Sequence, residues 1–151
     1  METLTHPAII AALVTAVVML VGILAAHRLS MSRERRAQRV AACSKFRSIV
    51  LAGSSLVPAA EYQWDKTVLP VLQTIANDIG VAVTEFAPHI GTRKHLLQRE
   101  YQSFAVHCRE TIPKALDAAE ILYGGGPTSA AVAKQDYYAR VQRLVAYASE
   151  I

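Results

Sequence analysis

Residues 7–26 read PAIIAALVTAVVMLVGILAA, twenty residues without a charge in which Thr15 is the one polar side chain. As a helix they rise roughly 30 Å at about 1.5 Å per residue, the thickness of a hydrocarbon core. A core helix of a soluble protein keeps a polar face, and this stretch has none. We therefore expect a retained transmembrane helix over 7–27, with 1–6 as a short extracytoplasmic tail. A cleaved signal peptide and a soluble hairpin are the alternatives. Signal peptides carry basic residues ahead of the apolar run, whereas residues 1–6 (METLTH) hold none and the basic residues follow Ala25-Ala26.

The flanking charge gives the expected orientation. Residues 27–52 carry Arg28, Arg33, Arg35, Arg36, Arg39, Lys45 and Arg47 against Glu34 alone. Cytoplasmic flanks are enriched in Lys and Arg, so the N-terminus is expected outside and the rest of the chain in the cytoplasm, at a bacterial inner membrane. Residues 53–151 hold nine basic and ten acidic side chains, so the formal net charge of +4 originates in the juxtamembrane segment 28–52. Arg28, Arg33, Arg35, Arg36 and Arg39 are the candidate topology and lipid-headgroup residues. They read as a pure topology determinant or as an anionic-lipid contact worth about 1 kcal/mol per cation. Nucleic acid is not an expected partner, because these arginines lie within a few turns of the bilayer, which competes for them. Ala8, Ala12 and Ala16 recur every fourth residue within the span, and Gly22 and Ala26 repeat the interval. Such spacing fits homo-oligomerisation through close helix approach, and it equally fits a lone span in lipid.

The 151 residues are 52% apolar and 19% charged, a greasy composition whose excess lies in the span. Length excludes a large multidomain enzyme, and the apolar content excludes disorder throughout. Beyond the span the apolar residues recur at helical intervals, with no sustained alternation. Val40, Cys43, Phe46, Ile49 and Val50 form one stripe, ended by Ala52-Gly53-Ser54-Ser55, and 53–64 reads as a loop in which Trp64 pins the chain to the bundle. Val68, Leu72, Ile75, Ile79, Val83, Phe86 and Ile90 form the next stripe, with Thr67 as its expected cap and Pro70 in its first turn. Gly80 leaves open whether this is one helix or two. After Pro88 and Gly91, Thr92 is the expected cap of a helix burying Leu97, Tyr101, Phe104 and Cys108. A separate shorter helix carries Ile112, Leu116, Ala119 and Tyr123. Gly124-Gly125-Gly126-Pro127 then punctuates the chain, and a last helix places Tyr137, Val141, Leu144, Ala148 and Ile151 inward, with Tyr138 partly exposed and Asp136 paired to Arg140 on the outer face. The expected fold is all-α: one N-terminal transmembrane helix, then a small antiparallel bundle over 53–151.

Motifs for chemistry are sparse. GlyGlyGlyPro lacks the lysine of a phosphate-binding loop, and Gly53-Ser54-Ser55-Leu56-Val57 lacks the tail of a nucleophile elbow. No histidine follows Glu61, Glu85, Glu100, Glu110 or Glu120 by three residues, as a di-iron bundle requires. His89, His95, Glu100, His107 and Cys108 are the best metal candidates, but their spacing gathers them loosely and they read as residues of a solvated helix face. Cys43 and Cys108 sit on apolar stripes and read as packing residues in a reducing compartment. No metal, cofactor or catalytic residue is assigned.

Phe46-Arg47, Glu85-Phe86 three residues after Val83, the Tyr101/Phe104 pair and the segment from Arg140 to Ala148 (RVQRLVAYA) together resemble a group of small bacterial helical-domain proteins of uncharacterised activity. The resemblance covers about residues 43–148 and rests mainly on core hydrophobes. It implies a bacterial origin and a compact helical domain, and brings no site residues. The expected function is a non-catalytic, membrane-tethered interaction module. The alternatives are a metal- or thiol-dependent enzyme and a regulator that senses anionic lipid.

Overall fold

A computed structural model of the chain describes residues 7–59, 62–121 and 129–149. Every element among the described residues is helical: α1 (Pro7–Ser55), α2 (Val68–Phe86), a 3-10 segment (Ala87–Arg93), α3 (Lys94–Val106), a π-helical turn (His107–Thr111), α4 (Ile112–Ile121) and α5 (Ser129–Ala146). The chain divides into two compact units, Met1–Gln38 and Arg39–Ile151.

The first unit is the leading part of α1, which is long and apolar enough to cross a membrane and buries none of its apolar window within the protein. Thr15, the one polar side chain of residues 7–26, is satisfied internally, since its hydroxyl donates to the Ala11 carbonyl at 2.8 Å. That back-bond leaves no donor facing the surroundings, as a span in hydrocarbon requires. Ala12 and Ala16 are exposed along it, while residues 1–6 and the side chain of Ala8 lie outside the described residues.

In the second unit, residues 39–55 serve as the first helix of the bundle, so the segment read from its charge as juxtamembrane also supplies core. Cys43, Phe46 and Val50 are buried there, and Phe46 stacks on Phe86 with ring centroids 4.7 Å apart. Val40 departs from its expected place: it is 59% exposed, about one turn before Cys43, where burial along α1 begins. The stripe on α2 is buried from Val68 to Phe86, each such side chain contributing about 1.5–3 kcal/mol when fully removed from water. Its start is not capped by the Thr67 side chain. Asp65 takes that role, its carboxylate accepting from the Thr67 hydroxyl and from the Thr67 backbone N–H, which holds the Asp65 carboxyl below its usual range.

α2 runs unbroken through Gly80, and the reason lies 21 residues further along the chain. The Tyr101 hydroxyl donates to the Ala76 carbonyl at 3.1 Å, and a β-carbon on Gly80 would sit 2.8 Å from Tyr101 Cζ. Gly80 is the notch that admits the Tyr101 ring. Gly80→Ala is expected to lower stability by about 1 kcal/mol, because overpacking of ~1–3 kcal/mol exceeds the gain of ~1 kcal/mol in helix propensity. In a Tyr101→Ala background the same change becomes stabilising. Denaturant unfolding of the four chains measures the sign reversal.

The chain turns at Gly91, whose φ of +58° is the left-handed conformation that glycine tolerates. α3 follows from Arg93 rather than from Thr92, and no side-chain bond caps it. The expected break before Ile112 is absent; α3 passes into α4 through the π-helical turn. The Ile112 N–H reaches back five residues to the His107 carbonyl. Pro113 has no N–H and its ring would crowd the Arg109 carbonyl in a regular helix, so the wider turn lets the helix continue past a proline. Ile112 and Leu116 are buried as the stripe predicts. The side chain of Ala119, residues Tyr123 and Ile151, and the Gly124–Pro127 punctuation lie outside the described residues.

Antiparallel pairing is visible in the cross-helix contacts: Arg143 approaches Glu100, Arg140 reaches Ser103, and Ala133 meets His107. The loop after α1 closes one end of the bundle. Trp64, 4% exposed, donates from Nε1 to the Pro58 carbonyl at 2.9 Å, and the Tyr138 hydroxyl donates to the same oxygen at 2.8 Å.

Candidate functional site

The residues weighed as metal candidates lie apart. His89 is half-buried in the 3-10 segment, His95 is exposed at the start of α3, and Glu100 lies 4.0 Å from Arg143. Among the described residues no three His, Cys, Asp or Glu side chains gather to hold an ion.

His107 is a correction to the sequence reading. It is 2% exposed, not on a solvated face. His107 lies at the edge of the α3 stripe, and α5 covers it through Ala133, so both His107 and Cys108 are inside. His107 Nε2 donates to the Ala133 carbonyl of α5 at 2.8 Å, which requires the tautomer protonated on Nε2. Around this pair sit Tyr137, which the helical stripe places inward, and Arg140, which the spacing pairs with Asp136. Tyr137 is fully buried, and its hydroxyl has no hydrogen-bond partner among the described residues; Arg140 likewise buries Nε without one there. Arg140 donates across to Ser103 Oγ instead of pairing with Asp136 along its own helix. Phe104, Trp64 and Tyr138 surround the Tyr137 ring at centroid distances of 5.6, 5.6 and 5.2 Å.

Electrostatics make this cluster quiet. Burial pushes the Cys108 thiol up to about 12, with Arg140 and Arg109 pulling weakly the other way. Burial likewise raises Cys43 and the Tyr137 hydroxyl. At neutral pH both thiols are protonated, so neither is a ready nucleophile. His107 is held below its ordinary value of 6.5, first by burial; the Ala133 bond opposes this, Arg140 adds to it, and Asp136 opposes it. The fold therefore favours the neutral ring, whereas the unfolded chain takes up a proton near 6.5. This contribution to stability is complete above 6.5 and is lost as pH falls through and below it. The stability of the parent chain relative to His107→Gln is expected to fall on acidification across that value, measured by urea unfolding at matched ionic strength.

A cleft of about 160 Å³ lies between the end of α1 and α2, lined by Ala42, Lys45, Phe46, Ala82, Glu85 and His89 among others. Lys45 Nζ and Glu85 bond at 2.6 Å beside it. It is well under the several hundred Å³ typical of a small-molecule site.

The five candidate arginines are all exposed on α1. At about 100° per residue, Arg28, Arg35 and Arg39 project within about 40° of one another, whereas Arg36 and Arg33 diverge from that line. Comparison with family models, curated proteins and solved structures finds no match.

Proposed function

We propose that the chain is a single-pass protein of a bacterial inner membrane that holds a non-catalytic helical interaction module in the cytoplasm. The observation that carries this reading is the use made of the polar groups of the bundle. Lys45 engages Glu85, Arg109 engages Asn77, Lys66 engages Asp117 and Arg140 engages Ser103, each fastening one element to another. The thiols that a nucleophilic mechanism would need are buried and protonated. The cluster of basic residues that follows the apolar stretch favours a cytoplasmic bundle. The row formed by Arg28, Arg35 and Arg39 favours a second role, that of a sensor of anionic lipid in the same leaflet.

Reporters active only in the cytoplasm or only outside it, fused after Ile151, test the orientation. Activity of the cytoplasmic reporter is expected; activity of the other overturns the placement. Turnover of a small molecule by the purified full chain overturns the non-catalytic reading.

A further inference from the structure

Among the described residues His107 is the one buried side chain whose charge changes between about pH 5 and 8. It is covered from α5, where its Nε2 donates to the Ala133 carbonyl at 2.8 Å. That part of α5 is lightly anchored. Of residues 130–136 Ala133 alone is buried, with Ala130 partly buried beside it, whereas residues 137–145 bury Tyr137, Val141, Leu144 and Val145. Apolar area sets the strength of such packing, and a methyl group supplies little of it. Lys134 adds one exposed bond to the Tyr62 carbonyl.

Protonation puts a positive charge on the imidazole and a second N–H at Nδ1. The groups around it compensate poorly. Arg140 of α5 is itself a cation, and Asp136, the acid of α5 that favours the charge, stands exposed in water. On the π-helical turn Arg109 engages Asn77 and Glu110 approaches Lys114. Glu100 of α3 faces Arg143, Asp117 of α4 faces Lys66, and Asp78 of α2 is exposed. A buried charge without a partner is costly, and contact with water removes that cost. Lifting the start of α5 gives the ring that contact and leaves Tyr137 and the apolar side chains beyond it in place. We propose that protonation of His107 releases the first two turns of α5 from the π-helical turn while the rest of the bundle stays closed, making this seam an acid-opened latch. The seam between α1 and α2 has no such device: Cys43, Phe46, Val50 and Phe86 close it, and none of them changes charge in this range.

The test uses the full chain in detergent carrying Ala133→Cys, with an aromatic disulfide reagent that reacts with thiols in acid. Cys43, buried on α1, is the internal reference. Rates are divided by that of free cysteine at the same pH, and labelled positions are separated by peptide mass. Acidification from about pH 7.5 to about pH 5.5 is expected to raise the rate at position 133 about tenfold, the effect of one proton taken up near 6.5 by the opened form, while Cys43 is unchanged. His107→Gln keeps an N–H for the Ala133 carbonyl but takes up no proton, so in that background the rate at 133 should not respond to pH. Amide exchange of the unsubstituted chain, corrected for its intrinsic pH dependence, should lose protection in acid over residues 133–136 and keep it over 141–146. A rate at 133 that ignores pH overturns the latch, as does a rise that survives His107→Gln. Equal rises at 133 and Cys43 overturn it too, because they mark opening of the whole bundle.

Discussion

Tyr137→Ala is expected to lower the stability of the bundle by about 3–5 kcal/mol, while Tyr137→Phe leaves it unchanged or raises it by up to ~1 kcal/mol. The two changes separate the ring from its hydroxyl. The ring is fully buried and touches Trp64, Phe104 and Tyr138, so truncation removes contacts to the Trp64 loop and to α3 as well as along α5, and leaves a cavity. Against a total of about 5–15 kcal/mol for a small domain, the loss is enough to leave much of the population unfolded. The hydroxyl is a different matter. It is buried and unpartnered, and its ionisation is suppressed by burial, so it has given up water without receiving a bond in return. Removing it restores nothing lost and relieves a desolvation cost. Denaturant unfolding of the full chain in detergent measures both. A Phe variant less stable than the parent by more than about 1 kcal/mol would show that the hydroxyl does hold a partner in solution.

The helical stripes were legible because burial repeats with the helical period, and Val68, Leu72, Ile75, Ile79 and Phe86 occupy the core as their spacing requires. What the pattern could not carry was information held by a residue far along the chain. Gly80 looks like a breaker until Tyr101 is laid against it. His107 looks like a surface residue because it lies at the edge of the α3 stripe, and only the packing of α5, through the Ala133 carbonyl, covers it. Tyr137 lay on a predicted stripe, but nothing local marks its hydroxyl as unpartnered or places Arg140 on Ser103 instead of Asp136. Caps failed for a similar reason: Thr67 and Asp65 are both good N-terminal residues, and the choice depends on how the Trp64 loop approaches α2. In each case the local alternatives differ by about 1 kcal/mol or less, and tertiary contacts decide among them.

Replacing Arg28, Arg33, Arg35, Arg36 and Arg39 by Gln, together with Thr3→Lys and Thr5→Lys, is expected to invert the chain and move the bundle to the other side of the membrane. Orientation follows the difference in Lys and Arg between the two flanks, counted within about 15–20 residues of the span. Within residues 1–47 that difference comes from the following flank, since residues 1–6 contain no Lys or Arg. Gln substitution alone leaves Lys45 and Arg47 at the edge of the counted window, so it should give a mixed population; the two added lysines then tip the balance. The pair of reporters fused after Ile151 measures the switch as loss of one signal and gain of the other. Arg93→Gln, Lys94→Gln and Arg99→Gln serve as the control. Those residues are more than sixty positions beyond the apolar stretch, too far to count in insertion, so orientation should be unaffected. An orientation unmoved by the seven substitutions would mean that folding of the bundle, not flank charge, holds it on its side of the membrane.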